Sequence, residues 1–177
     1  MNLDEEKKRE KSVFLRYFKI YQLKEQMGAL EKLKGTPIFA ISAFVFKSQL
    51  IEFELKRIIQ VLDMEININL VKSINGLKRI IRSPEYFNDK TLGRVISIVN
   101  EYEGLVNHDF KKKLKELNDL RNDFTHHLFS NEKKLDELVK DSERGLIIGD
   151  NILKEIELIN DKILGPFMNK IENKDAK

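Results

Sequence analysis

Along most of this 177-residue chain apolar residues recur at three- and four-residue steps, and only 3 prolines and 8 glycines interrupt them. That spacing is the period of one face of an α-helix. So few breakers leave too few turns for a sandwich or a barrel. The fold class this predicts is all-α, a bundle of about five helices with long first and last members.

The period predicts a first helix over residues 3–34, carried by Val13, Phe14, Tyr17, Ile20, Leu23, Met27 and Leu30. Gly35-Thr36-Pro37 then reads as a stop followed by a start: a left-handed glycine, a capping threonine, and a proline suited to a first helical turn. A second helix over 37–62 is the most apolar segment. Its Phe39, Phe44, Phe46 and Phe53 belong to a core rather than to a base-stacking platform. Residues 63–89 are the least regular. Ile66-Asn67-Ile68-Asn69-Leu70 alternates as a strand would, but a lone strand has nothing to pair with. A loop is expected there, with a short helix after Ser73 that ends at Ser83-Pro84.

A third helix opens at Thr91-Leu92-Gly93 and runs to 106, and Asn107-His108-Asp109 caps a fourth over 110–129. Ser130 or Asn131 caps a fifth that reaches 173, with a break near the glycines at 145 and 149. The reading is one domain over 1–177, made of an N-terminal helix at 3–34 and a core bundle at 37–172.

Composition narrows the chemistry. No cysteine is present, which removes disulfides, thiolate metal sites and cysteine nucleophiles. The start of the chain carries both charge signs and no signal-type apolar stretch. No segment reaches the ~18 apolar residues of a membrane span. A soluble, cytoplasmic protein without membrane contact is expected. A net charge of +3 permits an anionic polymer as partner without arguing for one.

The fourth helix carries the unusual residues. With successive residues about 100° apart, Phe110, Leu114, Leu117, Leu120, Phe124 and Leu128 form one apolar stripe, and Arg121 falls inside it. A guanidinium there must meet a carboxylate, a phosphate or an opening in the packing. Two of the 3 histidines, His126 and His127, follow close behind. His126 lies roughly 140° from Arg121 on the same wheel, so one ideal helix does not aim both at one point; Arg121 is long enough to reach round, and a second copy of the helix could supply the other group. The bland alternative is an ordinary polar flank, with two histidines near a helix C-terminus. A zinc site is not indicated: adjacent histidines point to different sides, and no His-x3-His or Glu-x2-His pair exists. His108, some five turns away, reads as a capping or exposed residue. Lys111, Lys112, Lys113 and Lys115 at the helix start are either a solvated first turn or a patch steering phosphates, with Lys111, Lys112 and Lys115 the candidates for binding substrate. Lys72, Lys78, Arg79 and Arg82 form a second basic cluster with the same two readings.

The run Arg121-Asn122-Asp123-Phe124-Thr125-His126-His127 resembles the Arg-x4–6-His motif of the HEPN family, often written with Asn after the arginine. The helix order over residues 37–129 and the rhythm Leu50-Ile51-Glu52-Phe53-Glu54-Leu55 are also similar to small stand-alone HEPN proteins. The resemblance implies a metal-independent endoribonuclease that needs no cofactor and works as a homodimer, with two motif helices lining one cleft. It implies that Arg121 holds the scissile phosphate, that His126 moves protons at the 2′-hydroxyl or the leaving 5′-oxygen, and that Asn122 orients one or the other. His127 fits the looser family spacing and stays a second candidate for catalysis. The product implied is a 2′,3′-cyclic phosphate, and the role that of a toxin or defence component with an antitoxin or nucleotidyltransferase partner. Two further readings stand beside it: a catalytically silent module binding RNA, nucleotide or protein, and a helical oligomeric interaction protein.

Overall fold

The computed structural model describes residues 20–73, 84–87, 89–102, 104, 106–130 and 133–175. Within them the chain is an all-α bundle, with no strand. Helix α1 covers residues 20–30 and tightens into a 3-10 turn at Glu31–Leu33; α2 is Pro37–Ser73, α3 Leu92–Val99, α4 His108–Ser130 and α5 Leu135–Asp175. A second 3-10 turn, Pro84–Phe87, precedes α3. The part of the expected first helix over 3–19 lies outside the described residues. None of the described helices is long and apolar enough to cross a membrane.

The entry to α2 follows its sequence signals. Gly35 has φ 88°, and the Thr36 hydroxyl accepts from the Phe39 N–H at 3.2 Å while donating to the Leu33 carbonyl at 2.7 Å. These contacts satisfy end groups that would otherwise lack partners. Beyond residue 62 the loop expectation fails, because α2 continues unbroken to Ser73. No proline or glycine interrupts 63–73, and the buried Asp63 is fixed by the Tyr102 hydroxyl at 2.5 Å. Alternation of Ile and Asn cannot make a strand without a partner, so the helix runs on. Helix α3 is shorter than expected: Asn100 starts a turn in which Glu101 and Tyr102 donate to the Ile98 and Val99 carbonyls, and Gly104 has φ 78°. Asn107 caps α4 as expected, its side-chain oxygen accepting from the Phe110 N–H at 2.7 Å.

Helix α5 corrects two further expectations. It begins at Leu135, where Glu137 and Leu138 donate to the Lys134 carbonyl, rather than at a Ser130 or Asn131 cap; Ser130 is the last residue of α4 and Asn131 lies outside the described residues. It also passes through Gly145 and Gly149 without a break. The two glycines instead let α5 approach α2: a Cβ on Gly145 would sit 2.2 Å from the Phe44 ring, and one on Gly149 would sit 2.7 Å from the Lys47 stem. Lys47 reaches on to Asp150 at 2.5 Å.

One core joins the helices. Phe44, Ile51, Leu55 and Ile59 of α2 meet Leu92, Val95 and Ile98 of α3, Phe110, Leu114, Leu117 and Phe124 of α4, and Ile152 and Ile156 of α5. Each such side chain contributes about 1.5–3 kcal/mol when fully buried. Phe39, Phe46 and Phe53, expected in the core with Phe44, are only half-buried. Phe46 and Phe53 pack instead on a smaller cluster where α1 docks through Ile20 and Leu23 onto Leu50.

The glycines yield a paired prediction. Gly145→Ala should lower stability by about 1–3 kcal/mol, since the fully buried Phe44 ring has no room to retreat. Gly28→Ala, with nothing within 4 Å of the new methyl, should raise it by about 0.5–1 kcal/mol. Urea denaturation of the two variants checks both signs.

Candidate functional site

Helices α2 and α4 lie antiparallel. Phe124 meets Phe44 edge-on at 5.7 Å between ring centres, and one turn earlier on α4 Arg121 meets Glu52, two turns later on α2. Here the carboxylate demanded by an arginine in an apolar stripe is found. Arg121 Nη1 donates to Glu52 Oε2 at 3.0 Å, and Lys56 Nζ donates to the other oxygen, Oε1, at 2.7 Å. The side chains of Lys56, Glu52 and Arg121 are 6%, 13% and 30% exposed. The three therefore run outward from a buried ammonium to a guanidinium at the surface. Glu52 and Lys56 were not singled out from the sequence. Their i,i+4 spacing is visible there, but nothing in it links them to Arg121, 69 residues away.

Asn122, Thr125 and His126, which follow Arg121 on α4, are exposed. The Thr125 hydroxyl donates back to the Arg121 carbonyl at 2.8 Å. Among the described residues neither Asn122 nor His126 has a side-chain hydrogen bond or ion pair. Helix geometry puts Lys111, Lys115, Asn122 and His126 within about 60° of one another, on one flank of α4. Asp119 shares that flank and is exposed. Lys112, grouped with Lys111 and Lys115 from the sequence, lies at the edge of that flank, about 40° from His126 and about 20° from Asp119, and is exposed. Lys113 faces the other way, bound to Asp109 at 2.6 Å and Glu155 at 2.8 Å. Lys78, Arg79 and Arg82 lie outside the described residues, as does the side chain of Lys72. His108 is exposed at the first position of α4.

His127 is placed apart from His126. Half-buried on the α5 side, it has Nε2 3.0 Å from Asp123 Oδ1. The other Asp123 oxygen takes the Lys133 ammonium, which also binds Asp141 at 2.8 Å. Lys133 thereby ties the end of α4 to the start of α5. Its hydrogen bond, more than any other contact, holds the Asp123 carboxyl below the usual carboxylate range, and Asp123 and Asp141 in turn push the Lys133 ammonium up. Among the described residues no group of three His, Cys, Asp or Glu is placed to hold a metal ion.

These features define the class: an all-α bundle whose fourth helix exposes Asn122 and His126 and carries an arginine seated on a half-buried carboxylate. Comparison of the chain with protein-family models, with curated proteins and with solved structures finds no match to any.

A group whose carboxyl is depressed in the folded state adds stability above its unfolded value, ~3.9, and loses it as pH falls through the folded one. Asp123 is such a group. Acidification below about pH 4 should therefore destabilise the wild type more steeply than Asp123→Asn, and at pH 7 the variant should be the less stable of the two. Thermal melts across pH 2–7 check the slopes.

Proposed function

We propose that the chain is an endoribonuclease of HEPN type that cuts RNA without a metal, at a cleft formed by two copies of α4. The observation that supports this most is the seating of Arg121. Glu52 takes one guanidinium nitrogen, Nη1, and the group is partly exposed on a helix whose Asn122 and His126 have no side-chain partner among the described residues. A planar, always charged donor fixed in this way suits a phosphate, which it can bind through its remaining N–H groups.

The chemistry follows from RNA itself. The 2′-oxygen attacks the adjacent phosphorus, a P–O2′ bond forms, and the P–O5′ bond breaks. One proton leaves the 2′-hydroxyl and one reaches the departing 5′-oxygen, leaving a 2′,3′-cyclic phosphate and a 5′-hydroxyl. Because the nucleophile belongs to the substrate, the protein has to supply only proton transfer and charge stabilisation. Arg121 stabilises the charge that develops on the phosphoryl oxygens. His126 exchanges a proton, as an imidazole does near neutral pH, and Asn122, four residues earlier on the same flank, orients it or the phosphate. His127 is assigned no proton transfer, since its Nε2 is engaged by Asp123 on the far side of the helix. Lys111 and Lys115, with Lys112 at its edge, extend the flank along the RNA backbone.

His126 lies roughly 140° round the helix from Arg121, so a complete site draws Arg121 from one copy and His126 from the other. Ile38 and Val45, exposed on the face of α2 that carries Glu52, give the second copy an apolar edge to cover. Action in the cytoplasm, as a toxin or defence component with an antitoxin or nucleotidyltransferase partner, rests on the family resemblance alone.

The Glu52 contact also favours a second reading, in which Arg121 only bridges α2 and α4 and the flank binds RNA or protein without cutting. Cleavage assays separate the two. Arg121→Ala and His126→Ala should each slow cleavage about 10²–10⁴-fold, with circular dichroism unchanged, while His127→Ala stays close to wild type and EDTA has no effect. Folded, dimeric wild-type protein that cuts no RNA would sink the nuclease and leave the binding module.

A further inference from the structure

Glu52 presents a difficulty for any anion-binding role of Arg121. A carboxylate 3.0 Å from the guanidinium cancels most of its field, and a phosphate approaching an isolated Arg–Glu pair meets a neutral dipole. The structure answers this from behind. Lys56 sits on the other oxygen of the same carboxylate, at 2.7 Å and 6% exposed.

We propose that Lys56 is a positioning residue for the RNA site, setting its charge through Glu52 without touching the substrate. The inference rests on the proposed function, of which it specifies one part. Arg121, Glu52 and Lys56 together carry a formal charge of +1, and the most exposed member of the three is the arginine. The lysine also occupies Oε1, so that carboxylate oxygen is not free to turn toward a phosphate and repel it. Neighbouring acids do not undo the balance. Asp89, close enough to feel Lys56, is matched by Lys90 at 2.8 and 2.9 Å, and Glu54 is matched by Arg57 at 2.8 Å. A bridge between helices has no need of the ammonium: a methionine would fill the same stem without the desolvation that a buried charge costs.

The test is binding of a 2′-O-methyl oligoribonucleotide, which cannot attack its own phosphate, followed by fluorescence anisotropy on the full chain. Lys56→Met should weaken binding roughly 3- to 10-fold. Glu52→Gln should strengthen it by a similar factor, since two cations then stand unopposed. The double variant Glu52→Gln/Lys56→Met should return to within about twofold of wild type, and in an Arg121→Ala background the Lys56 effect should be smaller than in the wild type. If Lys56→Met alone fails to fold, Glu52→Gln against the double variant reads the same charge with no carboxylate left unpaired. Unchanged affinity in Lys56→Met, no rescue in the double variant, or no binding by the wild type would each overturn the inference. Binding that follows this pattern without cleavage of unmodified RNA would support the inference while the nuclease reading falls.

Discussion

The close contact of α5 with α2 at Gly145 is the constraint on which the rest of the bundle depends. Without a side chain on Gly145, the helices come near enough for the Phe44 ring to lie where a Cβ would be. Phe44 then presents its ring to Phe124 and fixes the height of α4 against α2. That registration, one turn along α4, brings Arg121 to Glu52. The polar contact is thus a consequence of apolar packing, which supplies most of the favourable free energy. An ion pair this close to the surface contributes little to stability by itself. Its importance is in placing a guanidinium, and the core holds it there.

The two sides of α4 have different duties. Toward α5 its charges are answered: Lys113 by Asp109 and Glu155, Glu116 by Arg144 at 2.5 Å, and Asp123 by Lys133 and His127. Toward solvent Lys111, Lys115, Asn122 and His126 have no such partners among the described residues. A flank left unanswered beside a flank fully paired is the asymmetry expected when one face folds the protein and the other meets a ligand. It also separates two histidines that sequence spacing could not rank decisively.

How far this could be read from the chain depended on where the causes lie. The α4 stripe was legible, because burial of one helix face imposes a local period, and so was the need for Arg121 to meet an anion or an opening in the packing. Which anion was not legible, since Glu52 comes from a distant turn of α2 and meets Arg121 only through the packing of Phe44 and Phe124. The glycines of α5 were misread for the same reason: locally they weaken a helix, while in the fold they admit a neighbour. The alternation at Ile66–Leu70 misled in the opposite direction, as a strand-like local pattern without the pairing partner that would make it one.

Mixing two inactive variants shows whether two copies share the proposed site. Arg121→Ala chains and His126→Ala chains each lack one group at every site. Randomly re-associated, half of the dimers contain both kinds of chain, and each of these has one complete site when the groups come from different copies, so cleavage should recover to about one quarter of wild type. A mixture as inactive as its two components, with exchange of chains verified by mass spectrometry, would contradict the account.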